Sequence, residues 1–331
     1  SAQEGFANDW HLVHLGSRAA GGVGLVMVEA TAVTRDGRIT PGDMGIWSDA
    51  HIEPLARIVR FVESQGAVPG IQIAHAGRKA SCNLPWRGGR RLKEDEGGWP
   101  VVAPSAVPFN EGDPAPITLD GTGIDGIVAA FEAAADRVLA AGFKVIEIHS
   151  AHGYLLHEFL SPLANFRSDL YGGSLENRMR LPLRVAETVR RRLPHGLPVF
   201  VRISATDWVH GGWDIEQSVA FCKRLKELHI DLIDVSSGAL VPTAHIPVAK
   251  GFQVPFAHRI REEAKIRTAA VGMITETEQA NQIITEGHAD LVLLGRELLR
   301  KPYWALAAEA TLGAEPCWPI QYGYAVTRRA K

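Results

Sequence analysis

Short runs rich in Val and Ile alternate with longer amphipathic stretches along the chain. Continuous apolar runs of this length are typical of parallel strands buried on both faces, and amphipathic stretches are typical of the helices that connect such strands. We predict strands over residues 24–29, 69–74, 144–150, 198–204, 231–236, 267–272 and 290–295. We predict helices over residues 51–65, 124–141, 174–192, 214–229, 255–264, 275–286 and 297–311.

Seven strand–helix units in series, with no linker or change of composition between them, predict a single α/β domain over residues 1–331. The expected architecture is a TIM (β/α)8 barrel, in which helices surround a closed parallel sheet. A barrel of this kind has eight strands, and only seven are visible in the sequence. The residues before Trp10 contain no strand pattern, so we expect the first strand to be the missing one.

Two segments lie outside the repeating pattern. Residues 78–119 form a long connection rich in Gly, Pro and charged residues. Connections of this length inside a compact domain are usually functional, and we expect a capping loop or hairpin over the active site, with a plain surface insertion as the alternative. Residues 312–331 form a C-terminal tail, for which a subunit interface is the candidate position.

Composition narrows the possible partners. Hydrophobic residues make up 46% and charged residues 22% of the 331 positions, as in an ordinary globular protein. The net charge of -2 gives no basic surface for nucleic acid or anionic membrane. The three cysteines, Cys82, Cys222 and Cys317, are too few and too far apart for a disulfide framework, a zinc ribbon or an iron–sulfur cluster. No stretch approaches the ~18–20 apolar residues of a membrane span, so we expect a cytoplasmic protein.

The densest polar cluster follows the apolar run 145–148 and reads His149-Ser-Ala-His152-Gly-Tyr154. The carboxyl end of a barrel strand faces the active-site mouth, so two imidazoles and a phenol are expected there together. Imidazole N–H groups can donate to a substrate oxygen and stabilise negative charge on it, while the phenol can deliver a proton. Two alternatives stay open, namely a metal site and a pair of structural histidines.

Two further polar residues interrupt apolar strands. Gln72 lies in the run 70–77 and Arg202 in the run 199–203. Burial of an unpaired guanidinium is costly, so Arg202 is expected either to face an anionic or electron-rich ligand or to pair with a core carboxylate such as Glu147. Gln72 is either a ligand contact or a buried amide bonded to neighbouring backbone.

The last two strand ends predict a phosphate site. Gly272 ends one strand before a helix, and Gly295 with Arg296 does so one unit later. In barrels the loops after the last two strands often bind phosphate through backbone N–H groups, with Gly allowing close approach.

The chain closely resembles the Old Yellow Enzyme family of FMN-dependent ene-reductases from about Asn8 to Tyr322. The most specific part is the block 149–178, which begins with the histidine cluster and ends Tyr-Gly-Gly-Ser-Leu-Glu-Asn-Arg178. The stretches 70–79 and 290–300 are similar to the bacterial subclass that includes xenobiotic reductases and thermophilic-like ene-reductases.

The resemblance implies roles for residues on both sides of a flavin. His149 and His152 would bind the substrate oxygen, and Tyr154 would contact the substrate or supply a proton. Tyr324 aligns near a C-terminal Arg that in part of the subclass reaches the neighbouring subunit's active site, so it is a candidate substrate contact. The residues implied in FMN binding are Ala30 through its main chain, Gln72, Arg202, Gly272, Met273, Gly295 and Arg296.

The activity implied by the resemblance is an NADPH-dependent reduction of activated alkenes, with hydride passing from flavin N5 to the β-carbon. FMN is the expected tightly bound, non-covalent cofactor, and a homodimer or homotetramer is the expected assembly. The alternatives are reduction of nitro compounds or other xenobiotics, and a flavin-binding scaffold without turnover. The family's first strand carries flavin and substrate contacts that have no counterpart in this sequence.

Overall fold

The computed structural model describes residues 1–326, and residues 327–331 of the predicted tail lie outside the described part. The described residues contain nine strands: β1 Leu25–Ala32, β2 Val68–Ala74, β3 Val102–Ala103, β4 Ile117–Thr118, β5 Val145–Ser150, β6 Val199–Ser204, β7 Leu232–Ser236, β8 Arg267–Val271 and β9 Leu291–Leu293. The helices are α1 Asp9–Ala20, α2 Ile52–Ser64, α3 Gly121–Ala141, α4 Leu155–Leu160, α5 Leu175–Arg192, α6 Ile215–Glu227, α7 Val254–Ala264, α8 Thr277–Thr285, α9 Arg296–Arg300, α10 Trp304–Thr311 and α11 Gly323–Val326.

Seven strands form one parallel sheet in the order β1-β2-β5-β6-β7-β8-β9. These are the seven predicted strands, and helices separate them in the sequence, as in a TIM barrel. Within residues 1–326, β1 and β9 each pair with a strand on one side only. Residues of β1 and β9 line one cavity, so the sheet is curled with its first and last strands facing each other, as in a barrel.

Local sequence signals mark the starts of several helices. Asp120, Ser174 and Asp214 precede α3, α5 and α6, and each side chain accepts a hydrogen bond from the amide three residues later. Such caps satisfy one of the amides that a helix leaves unpaired at its start.

Three predictions of secondary structure needed correction. The predicted helix 297–311 is two helices, α9 and α10, because Pro302 lies between them and cannot continue the first. The predicted strand 290–295 is shorter, covering Leu291–Leu293. Helix α4 was missed, because all six of its residues are buried and it shows no polar face.

The connection 78–119 contains the two-stranded sheet β3–β4, whose strands pair in parallel. A parallel pair cannot be joined by a tight hairpin turn. The connection reaches the carboxyl ends of the main strands, because Arg78 donates to the carbonyl oxygens of Val107 (3.2 Å) and Leu240 (2.7 Å).

The core fills the space between the sheet and its helices, and every residue of β5 and β7 is buried. Cys82, Cys222 and Cys317 are free thiols, in line with the predicted absence of disulfides. None of the helices in the described part of the chain is both long and apolar enough to span a membrane.

Candidate active site

The histidine cluster, which we define as His149, His152 and Tyr154, lies where β5 ends. His149 is the fifth residue of β5, and its Cα is paired with that of Arg202 on β6. His152 and Tyr154 follow in the tight turn that leads into α4. The predicted juxtaposition of two imidazoles and a phenol is present: the ring centroid of His149 lies 5.0 Å from that of His152 and 4.9 Å from that of Tyr154.

The turn is held in an unusual backbone conformation. His152 (φ 57°) and Gly153 (φ 71°) both lie in the left-handed region, which costs a non-glycine residue on the order of 1 kcal/mol. The amide of His152 donates to Ser204 Oγ at the end of β6 (2.9 Å). A Cβ on Gly153 would lie 2.4 Å from the carbonyl oxygen of Ala239, so only glycine fits. The neighbouring strand ends thus fix the position of this turn.

Hydrogen bonds determine which nitrogen of each imidazole carries the proton. The Ala151 amide donates to His149 Nδ1 (3.2 Å), so the proton of neutral His149 is on Nε2. That nitrogen lies 3.2 Å from His152 Nδ1, which must therefore accept. His152 then carries its proton on Nε2, which lies 2.7 Å from Ser236 Oγ at the end of β7.

Both imidazoles are neutral at pH 7. Burial, followed by the positive charge of Arg202, lowers the pKa of His149 and of His152 well below the ordinary value of a histidine. Burial also raises the pKa of the Tyr154 phenol. The cluster therefore presents only neutral N–H and O–H donors. Within residues 1–326 the phenol donates no hydrogen bond to another protein group.

Sequence reasoning missed Lys79 as a member of this region. Its ammonium donates to the carbonyl oxygens of His152 (2.9 Å) and Ala239 (3.0 Å), and it lies 5.4 Å from the Tyr154 ring centroid. Burial lowers the pKa of Lys79 to about 8. The long connection contributes Phe109, whose ring centroid is 4.4 Å from the ammonium. Ser204 and Ser236 were also missed, although each is the last residue of its strand and the rule that found His149 applies to them.

Polar side chains from four adjacent strands meet inside the sheet. Gln72 donates through Nε2 to Glu147 Oε1 (2.6 Å), and Arg202 Nε lies 3.0 Å from Asp234 Oδ2. The carboxylate that pairs with Arg202 is thus Asp234, and the suggested partner Glu147 was wrong, because Asp234 is directly opposite Arg202 in the β6–β7 register. The alternative for Gln72, a bond to neighbouring backbone, is also replaced by the bond to Glu147.

A cavity of about 880 Å³, which we call the flavin cavity, opens beside these residues and is lined by β1, β9 and the segments next to them. Its volume is within the ordinary range of ligand sites. Five of the predicted FMN residues line it: Ala30, Gln72, Arg202, Gly295 and Arg296. Arg296 is exposed, and its side chain has no hydrogen bond or ion pair within residues 1–326. An open cavity lined by the unpaired guanidinium of Arg296 fits a ligand with a phosphate group, such as FMN.

The other two predicted phosphate contacts, Gly272 and Met273, form a left-handed turn after β8, with φ 112° and 51°. A Cβ on Gly272 would lie 2.5 Å from Gln253 Nε2, which donates to the Val271 carbonyl (2.8 Å). Gln253 Oε1 in turn accepts from Ser237 (2.6 Å). The turn is therefore tied to the end of β7, although neither residue lines the flavin cavity.

Tyr324 stays a prediction, because its expected contact is with a neighbouring subunit, whereas the metal alternative has no support from the geometry of residues 1–326. Tyr324 lies in α11 with 73% of its surface exposed, and no hydrogen bond or ring contact joins it to the histidine cluster. Among residues 1–326 no group of three or more His, Cys, Asp or Glu side chains is arranged to hold a metal ion.

Comparison with known proteins assigns the family. The model of the NADH:flavin oxidoreductase / NADH oxidase family matches residues 1–315. The chain belongs to this family. It is therefore a flavin-dependent oxidoreductase, and the predictions of an Old Yellow Enzyme relative and of FMN as the cofactor are confirmed.

Individual relatives agree over nearly the whole chain. NADPH dehydrogenase of Geobacillus thermodenitrificans is 49% identical over 320 residues, covering 97% of this chain and 89% of the relative. NADPH dehydrogenase of Bacillus subtilis is 48% identical with the same coverage. Among solved structures, morphinone reductase is 26% identical, with a TM-score of 0.76 over 95% of this chain and 83% of that one. The predicted TIM-barrel class of this family member is confirmed by that likeness.

Proposed function

We propose that the protein reduces the carbon–carbon double bond of α,β-unsaturated carbonyl compounds with NADPH as the reductant. The observation that carries the proposal is the histidine cluster, in which two neutral imidazoles with defined N–H positions adjoin a phenol without a protein partner. The names of the NADPH dehydrogenases that resemble the chain support the choice of reductant. FMN, when bound, would supply the redox chemistry by which hydride passes from NADPH to the β-carbon of the alkene.

The two histidines polarise the substrate carbonyl. A substrate oxygen at this position accepts a hydrogen bond from His149 Nε2 in place of His152 Nδ1. It also accepts a hydrogen bond from His152 Nε2 in place of Ser236 Oγ. Each exchange replaces one neutral acceptor by another. Because negative charge then develops on the oxygen, both hydrogen bonds strengthen as the reaction proceeds, and the β-carbon becomes electrophilic.

Tyr154 delivers the proton that the α-carbon needs after hydride addition. Its phenol stays protonated at neutral pH, because burial raises its pKa. The nearby Lys79 ammonium stabilises the phenolate that proton transfer leaves behind, since its nitrogen lies 5.4 Å from the centroid of the phenol ring. Solvent then returns the proton to Tyr154.

The flavin cavity is the proposed site of the cofactor. Arg202 and Gln72, which line the cavity, would hold the flavin ring system, and Arg202 would supply positive charge beside it. Arg296, with the turns at Gly272 and Gly295, binds the phosphate. The long connection over residues 78–119 covers the substrate, and the protein assembles as a homodimer or homotetramer in the cytoplasm.

Anaerobic spectroscopy tests this function. The FMN-loaded protein is mixed with NADPH and bleaching of the flavin is followed, after which 2-cyclohexenone or a nitro compound is added. We expect bleaching, then faster re-oxidation by the enone than by the nitro compound. Faster re-oxidation by the nitro compound would assign the activity to nitro reduction, and no bleaching would leave a flavin-binding scaffold.

A further inference from the structure

A further histidine with a carboxylate partner lies next to the histidine cluster, and the proposed reaction does not use this pair. His157 of α4 and Asp207 of the loop after β6 are both fully buried. His157 Nε2 lies 2.9 Å from Asp207 Oδ1. On its other side, His157 Nδ1 accepts a hydrogen bond from the Gly153 amide (2.9 Å). The pair thus connects the core to the residue between His152 and Tyr154.

The hydrogen bonds define a single tautomer of His157. Nδ1 accepts from an amide and therefore carries no proton, so the proton of neutral His157 is on Nε2, the nitrogen that lies next to the carboxylate. Asp207 is held in turn through its second oxygen, which accepts from Ser161 Oγ (2.6 Å) and the Trp213 amide (2.7 Å). The two donors to Oδ2 stabilise the ionised form of Asp207.

We propose that Asp207 and His157 are positioning residues for the proton donor: Asp207 selects the Nε2–H tautomer of His157, whose Nδ1 lone pair anchors Gly153 and so orients Tyr154. The inference rests on the proposed function, which makes Tyr154 the proton source. Gly153 is a sensitive anchor point, because its left-handed backbone determines the direction in which the chain enters α4.

Asp207→Asn tests the tautomer directly. The Asn oxygen must stay on the side of Ser161 and the Trp213 amide, since that amide requires an acceptor. The new NH2 group therefore faces His157 Nε2 and forces the proton onto Nδ1, where it opposes the Gly153 N–H. We expect the turn to shift, and a displacement of about 1 Å at a reacting group can lower kcat on the order of 10²-fold.

Three readouts on the FMN-loaded protein separate positioning from simple loss of structure. The ¹⁵N signals of His157, assigned by their absence in His157→Asn, report which nitrogen is protonated, and hydrogen exchange reports protection of the Gly153 amide. The third readout is kcat for enone reduction. Asp231→Asn is the matched control, because Asp231 accepts from the Val199 amide (2.8 Å) at the start of β6, the opposite end of the sheet.

We expect protonated Nε2 in the parent protein, protonated Nδ1 in Asp207→Asn, faster exchange of the Gly153 amide, and a fall in kcat of about 10²-fold with FMN still bound. Asp231→Asn should retain the parent kcat. A parent His157 protonated on Nδ1 would overturn the inference. A tautomer switch without a fall in kcat, or a fall in kcat without a switch, would overturn it as well.

A second pair of variants keeps the inference testable if Asp207→Asn fails to fold. His157→Asn places an amide oxygen near the position of Nδ1 and keeps an acceptor for Gly153, whereas His157→Gln keeps a donor for Asp207 and loses that acceptor. We expect His157→Asn to retain more activity than His157→Gln, and the reverse order would contradict the inference. If the parent protein reduces no enone, the proposed function fails, while the nitrogen signals and amide exchange still decide whether Asp207 sets the tautomer that anchors Gly153.

Discussion

The histidine cluster and the flavin cavity lie beside the same sheet but differ in how far their polar groups are hydrogen-bonded within the protein. In the cluster, both imidazoles use their nitrogens in hydrogen bonds to neighbouring strand ends or to each other. In the flavin cavity, the exposed side chain of Arg296 has no hydrogen bond or ion pair within residues 1–326. The first region is organised by the chain itself, whereas the second keeps polar groups available for a ligand.

This difference separates two requirements of the reaction. Polarisation of a substrate oxygen needs donors whose direction is set before the substrate arrives. Cofactor binding needs unsatisfied groups that the cofactor itself will satisfy. Variants of the cluster should therefore change turnover with FMN still bound, and variants of the cavity should change FMN affinity first.

The largest expected effect is at the turn that carries the cluster. Gly153→Ala places a Cβ 2.4 Å from the Ala239 carbonyl oxygen, so the turn must move. We expect kcat for enone reduction to fall about 10²-fold or more, with FMN affinity little changed. Gly173→Ala is the control, because Gly173 has a similar φ (+76°) but no atom within 4 Å of the added Cβ. Equal losses in the two variants would show that backbone strain alone, and not the position of the turn, lowers turnover.

A smaller effect is expected on the cavity side. Arg296→Ala removes the unpaired guanidinium, and loss of one charge-assisted hydrogen bond, about 1.5–3 kcal/mol, weakens FMN binding by on the order of 10–100-fold. Fluorescence titration of the apoprotein with FMN measures this change. Arg300→Ala is the matched control, because Arg300 is already paired with Glu297 (2.6 Å). If both variants bind FMN as the parent does, Arg296 does not contact the phosphate.

The smallest expected effect concerns Glu147, which lines the flavin cavity and accepts a hydrogen bond from Gln72. Burial, and after it the negative charge of Asp234, raises the pKa of Glu147 from 4.5 to about 8. The folded state then binds more protons than the unfolded state between these values, so Glu147 lowers the free energy of unfolding progressively as pH rises from about 4.5 to 8. Glu147→Gln removes this contribution. We expect the stability of the variant relative to the parent, measured by urea unfolding, to be greater at pH 8 than at pH 5.

A constant difference in stability between the two pH values would contradict the assigned protonation of Glu147. Glu158 belongs to the same class of group, since burial raises its pKa to about 8. It is unchanged in Glu147→Gln and therefore cancels when the variant is compared with the parent.

The sequence predicted most of this sheet because parallel strands buried on both faces produce continuous Val and Ile runs, as in β5 and β6. It predicted the histidine cluster because polar residues directly after such a run must lie at the carboxyl edge of the sheet. Pro302 is a sequence signal for the break between α9 and α10. Helix α4 was not predictable from periodicity, because it is buried on all sides.

The site residues that were not predicted differ in whether a local sequence pattern marks them. Ser204 and Ser236 end their strands and follow the same rule as His149. Lys79 and Asp207 act through contacts across the fold, 73 residues from His152 in the first case and 50 from His157 in the second. Such pairings depend on the packing of loops after different strands, and one sequence without its fold does not contain that information.

The most direct test of the central claim is single-turnover re-oxidation of the reduced protein. The parent and the His149→Ala/His152→Ala variant, both loaded with FMN and reduced with NADPH without oxygen, are mixed with 2-cyclohexenone while flavin absorbance is followed. If the two imidazoles polarise the substrate, the variant should keep its FMN and re-oxidise on the order of 10²-fold or more slowly, as for loss of other oxyanion donors. Equal rates with equal FMN content would contradict the claim.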